Sequence, residues 1–135
     1  MPVRFVNPPG PNEDHISKEH YSLAVDKGNG FWMLAGQGGW DPVTVKVSPD
    51  REEEIRMVVK NVDDALMSVG LRGWDDVYYY RIYCTDLNAM LPRIVDAVKK
   101  RIPNRRPAAV ALGVSKLAHE GMTVEIEVEA CSHSD

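Results

Sequence analysis

The chain has 135 residues, 44% hydrophobic and 27% charged, with a formal net charge of −4. That length supports one well-buried core and excludes two ordinary domains, and the composition is that of a globular protein. The acidic balance excludes a general nucleic-acid binder, which carries a basic excess or stripe.

The basic concentration Lys99-Lys100-Arg101 with Arg105-Arg106 fits a helix C-terminus, where cations suit the macrodipole. No stretch approaches the ~20 apolar residues of a membrane span. The opening run Met1-Pro2-Val3-Arg4-Phe5-Val6-Asn7-Pro8-Pro9-Gly10-Pro11 lacks the apolar region of a signal peptide, so a cytoplasmic protein is expected. Cys84 and Cys131 stand far apart without CxxC spacing, which predicts neither a disulfide nor a zinc site. His15, His20, His119 and His133 likewise show no ligand spacing.

In chain order, residues 1–18 read as an N-terminal extended arm broken by Pro8, Pro9, Gly10 and Pro11, and residues 19–135 as a single domain. The apolar runs His20 to Val25 and Phe31 to Gln37 flank Asp26-Lys27-Gly28-Asn29-Gly30, a hairpin signal. A helix follows, with Ser48 as cap, Pro49 at its first position and acidic residues in its first turn. Ile55, Val58, Val59, Val62, Leu66 and Val69 form its apolar stripe, and Gly70 ends it.

Val77 to Cys84, rich in Tyr and β-branched residues, predicts a strand. A second helix carries Leu91, Ile94, Val95, Val98 and Ile102 on one face, with Pro92 in its first turn and Pro103 beyond its end. The strands Ala108 to Ser115 and Met122 to Cys131 close the chain around a turn at Ala118-His119-Glu120-Gly121. The order β-β-α-β-α-β-β predicts an α+β fold with two helices on one face of a mixed sheet.

Alternation sorts the last strands into faces. Val110, Leu112 and Val114, with Val124, Ile126 and Val128, are expected under the helices. Ala109, Ala111 and Gly113, with Glu125, Glu127 and Glu129, are then expected on the opposite face. Two helices cannot cover both partly apolar faces, which predicts a homo-oligomer. Tyr78, Tyr79, Tyr80 and Tyr83 read as sheet or interface packing rather than a base-stacking platform, because no basic groove accompanies them.

Several segments together resemble the Rid family (YjgF-like, or L-PSP endoribonuclease-like). They are Leu34-Ala35-Gly36-Gln37, Asn61-Val62-Asp63-Asp64-Ala65-Leu66 with Gly70-Leu71, and Cys84-Thr85-Asp86-Leu87-Asn88. The C-terminal runs Arg105-Arg106-Pro107-Ala108-Ala109-Val110-Ala111 and Val124-Glu125-Ile126-Glu127-Val128-Glu129-Ala130 complete the pattern, which spans roughly residues 20 to 131. The resemblance implies a homotrimer of chorismate-mutase-like subunits with small-molecule clefts at the subunit interfaces. It also implies hydrolysis of reactive enamines and imines, such as 2-aminoacrylate, to 2-oxo acids and ammonia without metal or organic cofactor. In that chemistry an arginine forks onto the substrate carboxylate and a glutamate positions or deprotonates water.

Carried onto this chain, the resemblance makes Glu125 the catalytic, water-orienting glutamate and places Tyr21 and the backbone of Gly36 against the substrate. The arginine position holds Ala109, and the small or thiol position after it holds Ala111. Ala35 stands where a serine is usual, Met90 where a cleft phenylalanine is, and Ile94 where an asparagine is. Each replacement moves the cleft toward apolarity, so 2-iminobutanoate deamination is expected to be weak or absent. Arg106 has the wrong strand parity to substitute for the missing arginine and Arg105 is too distant, which leaves Arg81 as the conceivable replacement.

Glu125, Glu127 and Glu129 also read as an acidic row facing solvent or a trimer channel. Two functions remain open: a divergent imine or enamine hydrolase for a more apolar substrate, and a non-catalytic ligand-binding or protein-stabilising trimer. A ribonuclease is a weaker third.

Overall fold

The computed structural model describes residues 2–132, and His133 lies outside them. Strand β1 (Arg4–Val6) leads to a short helix α1 (Glu13–Lys18), then β2 (Ala24–Gly28), β3 (Phe31–Leu34) and the two-residue β4 (Gln37–Gly38). Helix α2 (Arg51–Ser68) and a 3₁₀ turn (Gly73–Asp76) precede β5 (Val77–Cys84), α3 (Leu87–Arg101), β6 (Ala108–Gly113) and β7 (Val124–Cys131). The strands form one mixed sheet in the order β1-β2-β3-β7-β5-β6, with β4 also on β7 and only the β5–β6 pair parallel.

The expected α+β architecture holds, with a third helix added. The N-terminal segment is not simply extended: β1 adds an edge strand to β2, and Ile16 of α1 enters the core. Asn29 and Gly30, at φ 57° and 86°, turn the β2–β3 hairpin as their residue types require. Gly70, at φ 93°, closes α2, and the Leu71 N–H donates back to the Leu66 carbonyl.

Helix starts differ from expectation for local reasons. The cap of α2 is Asp50, whose carboxylate accepts the Glu52 N–H at 3.0 Å, while the Ser48 hydroxyl accepts the Asp50 N–H one turn earlier. Both residue types can cap, and the charged one takes the helix end. Asp86 caps α3 well before Pro92, so this proline lies inside the helix rather than in its first turn. Pro92 and Asn88 are exposed, so the carbonyl that loses its partner can turn to water.

Helices α2 and α3 cover one face of the sheet. Trp74 is fully buried there, donating its indole N–H to the Val59 carbonyl and meeting Tyr80 edge-on at 5.3 Å. Val124, Ile126 and Val128 lie under the helices as expected.

Strand β6 presents the reverse of its expected faces. Its register pairs Val110 with Arg81 and Leu112 with Tyr83, and β5 in turn pairs those residues with Glu127 and Glu125. Val110 and Leu112 therefore share the uncovered face with the glutamates, and Leu112 is 45% exposed. Ala109 and Ala111 sit on the helix side, opposite Tyr80 and Ile82. Alternation within a strand defines two faces, but only the register to its neighbour says which faces which. Phe31 and Met33 extend the same uncovered surface, while Trp32 and Leu34 face the helices.

The loop between β4 and α2 holds one strained residue. Val45 sits at φ 62°, with its N–H bound to the Asp41 carbonyl. A β-branched side chain in the left-handed region costs roughly 1–2 kcal/mol, whereas asparagine adopts it readily. Val45→Asn is expected to raise the melting temperature by about 3 °C in a calorimetric scan. An unchanged or lower value would mean the loop is not strained.

Candidate functional site

Strand β7 sends Glu125, Glu127 and Glu129 to the uncovered face, and these three carboxylates have different surroundings. Tyr78 donates its hydroxyl to Glu129 at 3.0 Å, Lys27 lies 3.5 Å away, and Arg81 reaches the same carboxylate at 3.3 Å. Burial works against ionisation of Glu129, but these three donors outweigh it and hold the carboxyl below its ordinary range. Tyr83 donates to Glu127, and this bond together with burial pushes the Tyr83 hydroxyl up to about 12. Glu127 and Glu129 are thus both partnered within the chain.

Glu125 is different. Among the described residues no group donates a hydrogen bond to its carboxylate, and it is half-buried. Burial first, and Glu127 second, raise its pKa. Its carboxyl lies over Gly36: a β-carbon there would meet the Glu125 Cδ at 2.9 Å and Oε2 at 3.0 Å. Glycine is required at this point for close approach, not for turn geometry. Tyr21 completes the group, its hydroxyl pKa raised by burial and then by Glu125 and Glu19. A poorly solvated, unpartnered carboxylate is a stronger base than an ordinary glutamate and can hold or activate a water.

Of the candidate residues, the structure therefore brings Tyr21, Gly36 and Glu125 together. It does not bring the others to them within one chain. Met90 and Ile94 are 2% and 0% exposed in the core beneath α3, where they have no surface to offer a ligand. They lie on the apolar stripe of an amphipathic helix, and that packing explains their residue types. Ala111 packs against the same core, and exposed Ala109 lies on the opposite face of the sheet from Glu125. Arg81 has the right face but is engaged, paired with Glu127 and Glu129 and lying 4.5 Å over the Tyr79 ring.

Glu54 and Asn61 of α2 were not singled out in the sequence, yet they set the site's backbone. Glu54 is fully buried and accepts the Thr123 N–H at 2.7 Å, the Thr123 hydroxyl at 2.5 Å and the Val124 N–H at 3.4 Å. It thereby anchors β7 immediately before Glu125. Asn61 donates both amide hydrogens, to the Gly38 and Trp40 carbonyls. Their signal was a pair of polar residues, seven apart, within the apolar stripe of a helix.

The remaining expectations lie away from this group. His119 meets His15 at 3.2 Å and Trp40 edge-on at 5.4 Å, tying the turn before β7 to α1. No cluster of three or more metal-ligating side chains occurs among the described residues, and none of their helices is long and apolar enough to cross a membrane.

The family described as Endoribonuclease L-PSP matches residues 13–132. A RutC family protein of Aquifex aeolicus is 33% identical over 111 residues, covering 81% of this chain and 84% of that protein. A solved structure of a conserved Rid-family protein of unknown function from Yersinia pestis is similar at 32% identity, with a TM-score of 0.75 over 83% of this chain and 87% of that one. A member of the YjgF/YER057c/UK114 family from Mycobacterium tuberculosis superposes at TM-score 0.77 and 25% identity over 96% and 99% of the two chains.

Proposed function

For a chain that belongs to the L-PSP endoribonuclease (YjgF/Rid) family, we propose a small-molecule site built on Glu125, Tyr21 and Gly36 at an interface between identical subunits. The supporting observation is the contrast along β7, where Glu125 alone of the three glutamates is unpartnered and raised in pKa. The uncovered face beside it carries Phe31, Met33, Val110 and Leu112, an apolar surface that a second copy can bury. A homotrimer is the assembly this reading takes. Ala109 and Glu125 occupy opposite faces of one sheet, so only a neighbouring copy can place the β6 edge of one chain against the Glu125 of another.

In the proposed reaction, Glu125 accepts a proton from a water as the water oxygen attacks the electrophilic carbon of an imine. That proton passes to the nitrogen to give a carbinolamine; the carbinolamine hydroxyl then yields its proton through Glu125 to the amino group, and ammonia departs as the carbonyl forms. Tyr21 and the Gly36 backbone border the reacting atoms. With alanine where a carboxylate-gripping arginine would stand, the favoured substrate is a more apolar imine than a 2-imino acid. The alternative is a binding trimer without turnover, favoured by the engagement of Arg81 with its own glutamates.

The test is ammonia release from 2-iminobutyrate, read beside the sedimentation mass. Wild type is expected as a trimer with a rate barely above background. Ala109→Arg is expected to raise that rate ten- to hundredfold, the worth of about 1.5–3 kcal/mol from one charge-assisted contact. Rapid wild-type turnover would overturn the role given to Ala109, and a monomer would overturn the interfacial site.

A further inference from the structure

A cavity of about 410 Å³ adjoins the Glu125 group, sharing Tyr21 with it, but neither Glu125 nor Gly36 lines it. It lies under the N-terminal segment, between the prolines that follow β1 and the outer surface of α2, with Trp40 and Gln37 on its walls. Its volume is that of a small-molecule site rather than a packing defect.

The walls select by apolarity and by charge. Pro9, Pro11, Ile16, Leu23, Trp40 and Ala65 give it an apolar body, while its charged residues, Glu13 and Asp64, are both acidic, Asp64 being paired with Lys60 outside the lining. No lysine, arginine or histidine lines it among the described residues.

Two buried carboxamides sharpen the selection. Asn61 is 5% exposed, and its nitrogen is identified by the two carbonyls it serves, Gly38 at 2.8 Å and Trp40 at 2.9 Å. Gln37 is 3% exposed, and its nitrogen donates to the Ala35 carbonyl at 3.0 Å. Among the described residues, no donor reaches the oxygen of either amide. Neither oxygen is sealed off from solvent, so each stays open to a donor that enters the cavity.

We infer that this cavity is a second ligand site, sharing the Tyr21 wall with the Glu125 group but centred under the N-terminal segment, for a small apolar molecule bearing a cationic amine or a neutral N–H donor. Carboxylates and phosphates are disfavoured, because the charged residues on the walls are acidic and no cation among the described residues lines the cavity to hold an anion. The ligand's apolar part packs on Trp40 and the prolines, and its N–H groups meet the acceptors that the protein leaves unused. The inference does not depend on the reaction proposed for Glu125.

Three probes with the same ring and chain length test it: 2-phenylethylamine, 2-phenylacetamide and phenylacetate. Binding is read from the Trp40 indole resonance and by saturation-transfer NMR on the purified full chain. The amine and the amide are expected to bind and to shift Trp40, with phenylacetate at least about tenfold weaker. Ser68→Trp, at an exposed position on the cavity wall, should abolish amine binding while the circular dichroism and melting temperature stay unchanged.

Asp64→Lys, a second exposed position, should reverse the preference toward phenylacetate. Amine binding that persists in Glu125→Gln separates this cavity from the family site. Equal binding of all three probes would overturn the inference. So would no binding of any, binding indifferent to Ser68→Trp, or binding lost in Glu125→Gln.

Discussion

Glu125→Gln is expected to abolish turnover of any imine or enamine substrate while leaving the subunit folded and oligomeric. Removing a positioned general base costs about 10²–10⁴-fold in rate, and the amide keeps the volume over Gly36 while losing the basicity. The fold should respond in the opposite direction. A carboxyl whose pKa is raised in the folded state contributes stability that is present below its unfolded value of 4.5 and lost as pH rises through the folded value. The Gln variant has no such loss, so its stability relative to wild type should increase over that window and stay increased at neutral pH. Activity of the wild-type enzyme should rise over the same window, because the ionised carboxylate is the base. Chemical denaturation at several pH values reads the first effect and a pH–rate profile the second. A variant that retains turnover would leave Glu125 with no catalytic part and favour the binding trimer.

Glu54→Ala is expected to be the most damaging substitution for stability, at about 3–5 kcal/mol or roughly 10–20 °C in melting temperature. The side chain is fully buried and accepts three hydrogen bonds from Thr123 and Val124, so its loss strands those donors away from water. It also fills the space against Gly39, where a β-carbon would lie 2.6 Å from the Glu54 Cγ, so the alanine leaves a void. Glu54→Gln retains an acceptor and should cost less, about 1–2 kcal/mol. Calorimetry on the pair separates the hydrogen bonds from the packing. Equal losses would assign the cost to charge alone, and no loss in either would remove Glu54 as the anchor of β7.

The elements with strong periodicity were legible along the chain. Val77 to Cys84 reads as a strand from its tyrosines and β-branched residues and is β5 to the residue. The stripe of α2 and its glycine stop are likewise local facts, because helical spacing and left-handed backbone need no distant partner. Within the candidate site, Tyr21, Gly36 and Glu125 were named from the family resemblance, and they meet in the folded chain. Met90 and Ile94 were named on the same grounds, and they lie in the core.

What the amino-acid order determined by itself is the set of elements, the α+β class and the family: these rest on spacing and residue type, which are properties of the chain. What only the tertiary structure decided is which groups face one another. The parallel register of β6 turned Val110 and Leu112 outward and Ala109 away from Glu125, a one-residue matter that alternation cannot settle. The solvation of three chemically identical glutamates was decided in the same way. Tyr78, Lys27, Arg81 and Tyr83 come from other strands to hold two of them, and none of the described residues donates a hydrogen bond to the third. A carboxylate's basicity depends on what surrounds it, and its surroundings are assembled from residues distant in sequence.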